Sequence, residues 1–168
     1  GIRELVRSRG LGDVYKRQVE YRKCTGIDEY TYRVGSDIDM DESIDKDESA
    51  IDPITGKYLY TNWSCTDLKT DESPSILLGK RFGIKNIRKY GGCSKVQHIA
   101  FDYLGRPHHQ IASYNSPNFE YIMKTDCRLK FEMSTDINND GEINNDDSFT
   151  INIESETGRA YIVGQESS

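Results

Sequence analysis

Short stretches in which polar and apolar residues alternate dominate the last third of the chain. Three of them, CRLKFEM (127–133), SFTINIE (148–154) and RAYIV (159–163), place apolar side chains at nearly every second position. That period is typical of β-strands that bury one face. The segment SETG links the last two stretches and offers Gly158 for a tight turn. We therefore predict an antiparallel β-meander in the C-terminal half.

The first half of the chain also contains short runs that favour strands. EYTYRV (29–34) is rich in aromatic and β-branched residues and is followed by Gly35. KYLYTNW (57–63) alternates well enough to predict a strand with one buried face. VQHIAFDYLGRPH (96–108) predicts another strand, which ends in a turn at Gly105–Pro107. Short strands separated by turns are therefore expected along the whole chain.

One segment between these strands carries the signals of a helix. In DESPSILLGKRFG, Ser73 is placed as an N-cap, Pro74 takes the first helical position and Gly83 ends the segment. Upstream, Pro53 and Gly56 mark a turn. We predict one short helix within an α+β fold that is mainly antiparallel β.

Composition and charge exclude several classes of protein. A chain of 168 residues suits one domain, and only 35% of it is hydrophobic, while 11 Tyr and 14 Gly favour turn-rich β structure. The net charge of −6 argues against nucleic-acid binding by the chain as a whole. Its longest apolar runs are far too short to cross a bilayer.

The first residues differ from the rest of the chain. Residues 1–23 carry seven Lys and Arg against three acids. A basic arm that binds anionic lipid or nucleic acid would explain this, and so would a disordered tail. However, SRGLGDVYKRQ (8–18) resembles the in-frame translation of a transposon-end adapter used to build sequencing libraries. We therefore assign no function to residues 1–18 and expect the β-rich domain to span 19–168, with its own N-terminal part missing.

Four cysteines bear on the cellular compartment: Cys24, Cys65, Cys93 and Cys127. No two form a CxxC pair, so a zinc ribbon is poorly supported. An even number of cysteines in an acidic, β-rich chain favours disulfides and an oxidising compartment over four reduced thiols in the cytosol. Three pairings are open. We favour Cys93–Cys127 with Cys24–Cys65, because that choice joins the start of each half to a nearby strand.

The sharpest chemical motif is DINNDGEINNDD (136–147), which matches a twelve-position calcium loop. Gly141 falls at position 6, where the sharp turn needs a positive φ, and Ile143 at position 8 would anchor the loop. The candidate ligands are Asp136, Asn138, Asp140, Glu142 through its carbonyl, Asn144 and Asp147. These oxygens suit Ca²⁺. Asp at position 12 and Asn at positions 3 and 9 resemble extracellular dockerin-type loops, although strands replace the flanking helices. A polar hairpin loop is the alternative, since Asn-Asp-Gly also forms turns.

A second acidic stretch, DIDMDESIDKDE (37–48), has acids at positions 1, 3, 5, 9 and 12 of the same template. It carries Glu42 where glycine belongs, so the turn would be strained. We favour a solvated acidic loop here and keep a second calcium site as the alternative.

The sequence gives little support for catalysis. The three histidines are His98, His108 and His109, with Asp102 nearby, and the adjacent pair could ligate a metal or act as acid and base. Adjacent residues of a strand point to opposite faces, however, and neither a carboxylate pair nor a nucleophile elbow accompanies them. We therefore predict surface histidines and no enzymatic activity. No glycine loop for phosphate occurs in a strand–loop–helix context either.

Two turn motifs and their order carry a resemblance to a known family. HIAFDYLGRP is followed by C-x-L-x-F and then by FTINIESETGRAYIV. Together they resemble the C-terminal domain of type IV pilin-like proteins, in particular the minor pseudopilins of type II secretion, the H-type or FimT-like family. The matching turn positions are Phe101, Asp102, Gly105, Arg106 and Pro107, then Thr157, Gly158 and Arg159. The match covers roughly 76–163.

This resemblance implies a scaffolding function in the bacterial cell envelope. In such proteins an apolar N-terminal helix anchors the subunit in the inner membrane and later packs into a filament core, while the β domain forms the outer surface. That helix and its leader are absent here, and the adapter would account for their loss. The implied partners are other pilin or pseudopilin subunits and, in secretion, the exported protein. Any membrane contact would be made through the missing helix.

Two other classes of function remain open. One is a secreted calcium-dependent adhesion or ligand-binding β module, in which the loop at 136–147 shapes the ligand face. The other is a hydrolase that uses His108 or His109. The sequence upstream in the gene discriminates the first two, because a pilin leader with an apolar helix differs from a cleaved signal peptide.

Overall fold

A computed structural model describes residues 17–39, 41, 43–102, 104–109, 121–135 and 147–165. Within these ranges eight strands form two four-stranded sheets, and every pairing between the strands is antiparallel. The strands are β1 (Arg17–Lys23), β2 (Tyr30–Gly35), β3 (Ile84–Gly91), β4 (His98–Phe101), β5 (Pro107–His108), β6 (Cys127–Met133), β7 (Ser148–Ile153) and β8 (Ala160–Ile162). Helical structure is limited to two 3₁₀ turns, Lys46–Glu48 and Pro74–Ile76, and one α-helix, α1 (Leu78–Phe82). The mainly antiparallel β class is thus confirmed.

The first sheet has the strand order β2-β1-β4-β5. β1 lies between two partners, and it begins at Arg17, two residues before the expected domain boundary at Val19. Gln18 pairs with Gly35 on one side and with Ala100 on the other and is fully buried. β1 was not predicted, because its two buried residues, polar Gln18 and aromatic Tyr21, are three positions apart and do not show the alternation of a strand.

The second sheet has the order β3-β6-β7-β8. Its last three strands are the predicted meander, and Gly158 adopts a φ of +69° in the turn between β7 and β8. Phe131 and Phe149 are direct cross-strand partners whose rings stack with centroids 4.9 Å apart. β3 was not predicted, because a register shift between Ile84 and Asn86 leaves its buried residues with a helix-like spacing.

The strand predicted over residues 57–63 is wrong. Only Tyr58 forms bridges, one to Ile51 and one to Glu72, and the chain then runs irregularly. The aromatic residues of this segment do not face a neighbouring strand. The rings of Tyr60 and Trp63 stack instead on the guanidinium of Arg33.

The predicted helical segment is confirmed. The side chain of Ser73 accepts a hydrogen bond from the amide of Ser75 at 3.2 Å, and Gly83 ends α1 with a φ of +72°. The first amides of α1 are satisfied by a distant residue, since the carboxylate of Glu29 accepts hydrogen bonds from Gly79 and Lys80. This contact joins α1 to the start of β2.

Two groups of buried apolar residues hold the fold together. The large core lies between the sheets and consists of Tyr21, Leu78, Ile84, Ile87, Cys93, Ile99, Met123, Cys127, Leu129 and Ile153. The small core consists of Cys24, Cys65, Ile76 and Leu77 and lies beneath the loop region, which we define as residues 36–77. Each core contains one disulfide, Cys93–Cys127 in the large core and Cys24–Cys65 in the small one. The predicted pairing is therefore confirmed.

The turns of the two sheets meet at a pair of glycines. Gly105 lies in the turn between β4 and β5, and Gly158 lies in the turn between β7 and β8. A Cβ atom on Gly158 would overlap the carbonyl oxygen of Gly105 and would lie 3.3 Å from the ring of Phe101. We call this contact the glycine joint, because it allows two turns from different sheets to approach backbone to backbone.

Candidate metal centre

Three carboxylates converge in the acidic loop, which we define as residues 37–48. Oxygen atoms of Asp37, Asp39 and Glu48 all lie within 4.8 Å of one another. These residues occupy positions 1, 3 and 12 of the calcium-loop template that the sequence suggested as an alternative for this stretch. The chain thus closes on itself, so that the first and last acids of the stretch meet.

Backbone amides bring these carboxylates together. Glu48 Oε1 accepts hydrogen bonds from the amides of Ile38 at 2.6 Å and Asp39 at 3.2 Å, and Oε2 accepts from Asp45 at 3.1 Å. The amide of Asp41 donates to Oδ1 of Asp37 at 3.1 Å and to Oδ1 of Asp39 at 3.2 Å. The amide dipoles partly offset the mutual repulsion of the acids and fix the spacing of their oxygens.

The loop is anchored to the body of the protein by one apolar residue. Ile44 is fully buried, and its carbonyl accepts a hydrogen bond from Arg33 Nη1 at 3.2 Å. Asp37 is only 7% exposed. A fully solvated loop, as favoured from the sequence, is therefore wrong for these two residues, because burial of Ile44 draws the loop down onto β2. Glu42, where strain was expected, lies outside the described residues.

The arrangement suits a hard cation. A carboxylate offers about four acceptor sites on its two oxygens, so the three amide hydrogen bonds to Glu48 and the one to Asp39 leave acceptor sites for a metal. Ca²⁺ takes six to eight oxygen ligands from flexible loops, and three carboxylates supply the charged part of such a set. The three carboxylates could therefore hold a hard cation.

The sharper sequence motif, residues 136–147, lies outside the described residues except for its last member. Asp147 is fully buried, and its backbone carbonyl accepts a hydrogen bond from the amide of Met133 at 2.8 Å. This bond extends the pairing of β6 with β7 up to the point where the motif ends. Calcium binding by Asp136, Asn138, Asp140, Glu142, Asn144 and Asp147 stays a prediction.

The histidines are distributed over different environments. His108 is fully buried, which contradicts the prediction of a surface residue, while His98 and His109 are half-buried. His109 meets the ring of Tyr121 edge-on, with centroids 5.6 Å apart. As expected for adjacent residues, His108 and His109 do not converge on one site.

His108 belongs to a buried polar group centred on Asp102. Its Nε2 lies 3.3 Å from Oδ2 of Asp102. The same carboxylate accepts hydrogen bonds from the amides of Leu104 and Arg106, each at 2.9 Å, and from the Arg106 guanidinium at 2.8 Å. Asp102 therefore closes the FDYLGRPH turn, with its side chain in the place that a backbone carbonyl takes in an ordinary turn.

The charge states of this group follow from its burial and its hydrogen bonds. Burial lowers the pKa of His108, and the hydrogen bond to Asp102 offsets only part of that effect. Burial acts to raise the pKa of Asp102, but the hydrogen bonds from Arg106 and His108 outweigh it, so the net pKa lies below the usual value. Both shifts favour a neutral histidine beside an ionised aspartate near neutral pH.

Comparison of the chain with protein-family models, with curated proteins and with solved structures found no match. Within the described residues, none of the helices has the length and apolarity that a bilayer crossing requires.

Proposed function

We propose that this chain is a non-enzymatic filament subunit, a minor pilin or pseudopilin of a type IV pilus or of a type II secretion machine in the bacterial cell envelope. The observation that supports it most is the glycine joint. The pilin-like resemblance rests on two turn motifs that are about fifty residues apart, FDYLGRP and TGR. In the structure these turns lie against each other.

The contact gives a physical reason for both motifs to occur in one chain. Asp102 and Arg106 shape the first turn so that the carbonyl of Gly105 faces the second turn. A glycine is then required at position 158, because its φ is positive and a Cβ would overlap that carbonyl. The second turn can take its conformation beside the first only if position 158 is a glycine. This steric dependence supports the pilin-like resemblance more than two turns without contact would.

The disulfides are consistent with this setting. Disulfide-bonded domains of modest size are typical of oxidising compartments such as the periplasm and the cell surface. Each bridge closes a loop of comparable size, with separations of 41 and 34 residues. A subunit exposed on the outside of a filament would gain stability from both.

We further propose that calcium is a structural ion in this subunit. The acidic loop and residues 136–147 are the two places where it would bind, through Asp37, Asp39 and Glu48 and through the ligands named above. Bound calcium would neutralise crowded carboxylates and hold each loop in one conformation. The protein residues do the positioning, because the amides of the acidic loop already bring three acids together.

The first test is to sequence the gene upstream of the codon for Val19 and to isolate the processed protein from its native host. We expect a short leader followed by an apolar helix of about 20 residues, which is the length that crosses a bilayer. A cleaved signal peptide without such a helix would contradict the filament subunit and favour the secreted module.

The second test addresses the partners. A photo-crosslinking amino acid at exposed Leu104 or Val163 should give adducts with other pilin-like subunits in cells that assemble the machine. The same amino acid at exposed Ile54, in the loop region, is the matched comparison for a different face. Adducts with host-surface or substrate proteins only, and none with pilin-like subunits, would contradict the assembly function.

A secreted calcium-dependent adhesion or ligand-binding module is the second candidate function. One observation favours it, which is that Ile38 lies 74% exposed next to the acidic cluster. An apolar side chain held in solvent beside a cation site can contact a ligand surface. Loss of adhesion on replacement of Ile38 by Ser, with assembly unaffected, would favour this candidate.

A further inference from the structure

The two sides of the molecule that face away from the large core differ in charge. On the first sheet, Tyr32 packs against the large core, whereas its neighbour Arg33 points away from that core and binds the carbonyl of Ile44. Because adjacent residues of a strand point to opposite faces, the acidic loop lies on the outer side of the first sheet. The outer side of the second sheet is therefore the opposite side of the molecule.

Positive charges lie in two neighbouring rows on the outer side of the second sheet. Arg88 of β3 is the cross-strand partner of Lys130 of β6, and Tyr90 is the partner of Arg128. Leu129, which lies between the two cations of β6, belongs to the large core, so these cations point away from it. Arg88 and Arg128 are exposed, and Lys130 is half-buried. We call Arg88, Tyr90, Arg128 and Lys130 the basic face.

The cations of the basic face are not fully balanced by acids of the same chain. Arg88 forms an ion pair with Glu132 at 2.5 Å, and Glu132 is only 5% exposed. Arg128 and Lys130 form no ion pair with a described residue, and Asp126 acts on Arg128 from beyond that distance. Lys130 also lies directly opposite Arg88, where like charges repel each other. A docked anionic group would relieve this repulsion.

The acidic loop has the opposite imbalance of charge. It holds seven acids and one lysine, Lys46. The exposed acids among its described residues are Asp39, Asp41, Asp45 and Asp47. These four form no ion pair with a described residue, since Lys46 pairs instead with Asp71 at 2.7 Å and with Glu72 at 3.6 Å. A bound Ca²⁺ would offset only two of these negative charges.

Each of the two charged surfaces also holds an apolar group in solvent. Ile38 is 74% exposed in the acidic loop, and Tyr90 is 46% exposed in the basic face. Protein interfaces are enriched in aromatic residues and bury apolar groups inside a polar rim. The two surfaces are therefore complementary in charge, and each offers an apolar group that docking would cover.

We propose that the basic face of one copy of this chain binds the acidic loop of a second copy. Because the two surfaces lie on opposite sides of the molecule, this contact is head-to-tail and can repeat along a filament. It rests on the proposed filament function for its setting and names the contact between neighbouring subunits. The net charge of −6 disfavours a nucleic acid as the occupant of the basic face, whereas every copy of the chain carries an acidic loop.

Sedimentation velocity of the purified chain measures this association. A chelator is present, so that calcium plays no part, and the protein concentration is raised to about 1 mM, which detects a Kd in the millimolar range. We expect the sedimentation coefficient to rise with protein concentration at low salt. Salt at about 0.5 M should weaken the association at least tenfold, because it screens charges that are exposed to solvent.

Two charge-reversed variants assign the surfaces. Arg128→Glu with Lys130→Glu reverses the basic face, and Asp41→Lys with Asp47→Lys reverses the acidic loop without changing its three converging carboxylates. Each variant alone should associate about tenfold more weakly or less, since like charges then face each other. A mixture of the two should associate again, because opposite charges meet. The net charge of −6 changes by four units in opposite directions, so both variants stay negative and gain no general attraction.

The matched control is Lys80→Glu with Arg81→Glu, which reverses two exposed cations of α1. It changes the net charge as much as reversal of the basic face does, and it should associate like the unsubstituted chain. Thermal melts show whether each variant is folded. If reversal of the basic face prevents folding, Arg128→Gln with Lys130→Gln removes the same charges and should still weaken the association.

Four results would overturn the proposal. They are no rise in the sedimentation coefficient up to about 1 mM protein, an association that salt does not weaken, no association in the mixture of folded reversed variants, and an equal loss in the control. Binding of a single-stranded oligonucleotide to the basic face without self-association would assign this face to nucleic acid instead. Crosslinks from Leu104 to pilin-like subunits test the filament function separately, so failure of this contact is distinguishable from failure of that function.

Discussion

The large core and the small core stabilise their surroundings in different ways. The large core packs apolar side chains from both sheets against each other, and the strands around it pair along most of their length. The small core has four buried residues, Cys24, Cys65, Ile76 and Leu77, beneath the loop region, whose described residues form no extended strand. The loop region buries few apolar side chains, and buried polar contacts provide the rest of its stabilisation.

Arg33 is the centre of those contacts. It is 4% exposed, and its Nε and Nη1 donate to the carbonyls of Thr61 at 2.9 Å and Ile44 at 3.2 Å. The rings of Tyr60 and Trp63 cover its guanidinium. A buried cation must have its hydrogen-bond donors satisfied, and here backbone carbonyls of the loop region satisfy them. These hydrogen bonds fix the backbone of the loop region in one conformation.

A second polar group closes the loop region from the other side. The Ser73 hydroxyl donates a hydrogen bond to Oδ2 of Asp52 at 2.5 Å, and the amide of Ile54 donates to Oδ1 at 2.9 Å. These hydrogen bonds lower the pKa of Asp52 to about 2. Apolar packing thus stabilises one part of this domain, and satisfied polar groups stabilise another.

Removal of each disulfide should give the largest effects and separate the two regions. Replacing Cys24 and Cys65 together by Ala, or Cys93 and Cys127 together, should each cost roughly 2–4 kcal/mol of unfolding free energy. The first pair should also lower amide protection in residues 36–77 more than in β6 and β7, because this disulfide joins the loop region to the end of β1. Denaturant melts and hydrogen exchange measure this. Equal loss of protection in both regions would show that the two cores do not stabilise their surroundings separately.

The glycine joint should be the next most sensitive place. Gly158→Ala places a Cβ against the carbonyl of Gly105 at a positive φ, and we expect a loss of about 3 kcal/mol. Gly164→Ala is the matched control, because its φ is also positive but no atom lies within 4 Å of the added Cβ. It should cost only about 1 kcal/mol. Similar losses in denaturant melts of the two variants would show that the turns do not depend on each other.

Calcium should stabilise the protein through its two acidic segments. At a hundredfold excess over Kd, one site contributes about 2.7 kcal/mol, and magnesium should do much less because it dehydrates reluctantly. Thermal melts with calcium, magnesium or chelator measure the effect. Asp39→Ala tests the acidic loop, Asp140→Ala tests residues 136–147, and Asp28→Ala, an exposed acid outside both, is the control. Identical melts of the unsubstituted protein in all three conditions would make both segments ordinary polar loops.

The smallest expected effect is a pH dependence at the buried Asp102–His108 pair. The folded pKa of His108 is below its usual value of 6.5, so the unfolded chain binds the proton more readily, and stability falls as the pH drops below about 6.5. The lowered pKa of Asp102 acts in the same direction but below pH 3.8. In His108→Gln the melting temperature should change less between pH 7 and pH 5 than in the unsubstituted protein. An unchanged slope would show that His108 does not titrate on unfolding.

Much of the fold was accessible from local patterns. Strands β6, β7 and β8, the N-cap at Ser73 and the stop at Gly83 were predicted, because each depends on residues only a few positions apart. β3 and the irregular path of 57–63 were not, since a register shift and stacking on Arg33 override the local pattern.

In the acidic loop, the calcium-loop spacing predicts which acids can be ligands but not that their side chains meet. The acids at positions 1, 3 and 12 were visible in the sequence, yet their convergence depends on where Ile44 is buried and on the amides of Ile38 and Asp39. The cavity lined by Arg22, Trp63 and Glu20 left no signal at all. Glu20 and Arg22 lie on β1, whereas Trp63 lies in the loop region, so no short-range spacing connects the ring with the two charges.

The antiparallel meander, the ends of the helical segment and a cysteine count that indicates disulfides follow from the sequence, because short-range sterics, side-chain period and covalent chemistry fix them. The burial of Arg33 and His108, the contact of Gly105 with Gly158 and the meeting of Arg22 with Trp63 depend instead on how distant segments pack. The physical reason is that a charged or polar residue can be buried only when its partners converge on it. Several of those partners, such as Thr61 and Trp63 for Arg33, lie far away in the chain, where a local sequence pattern does not include them.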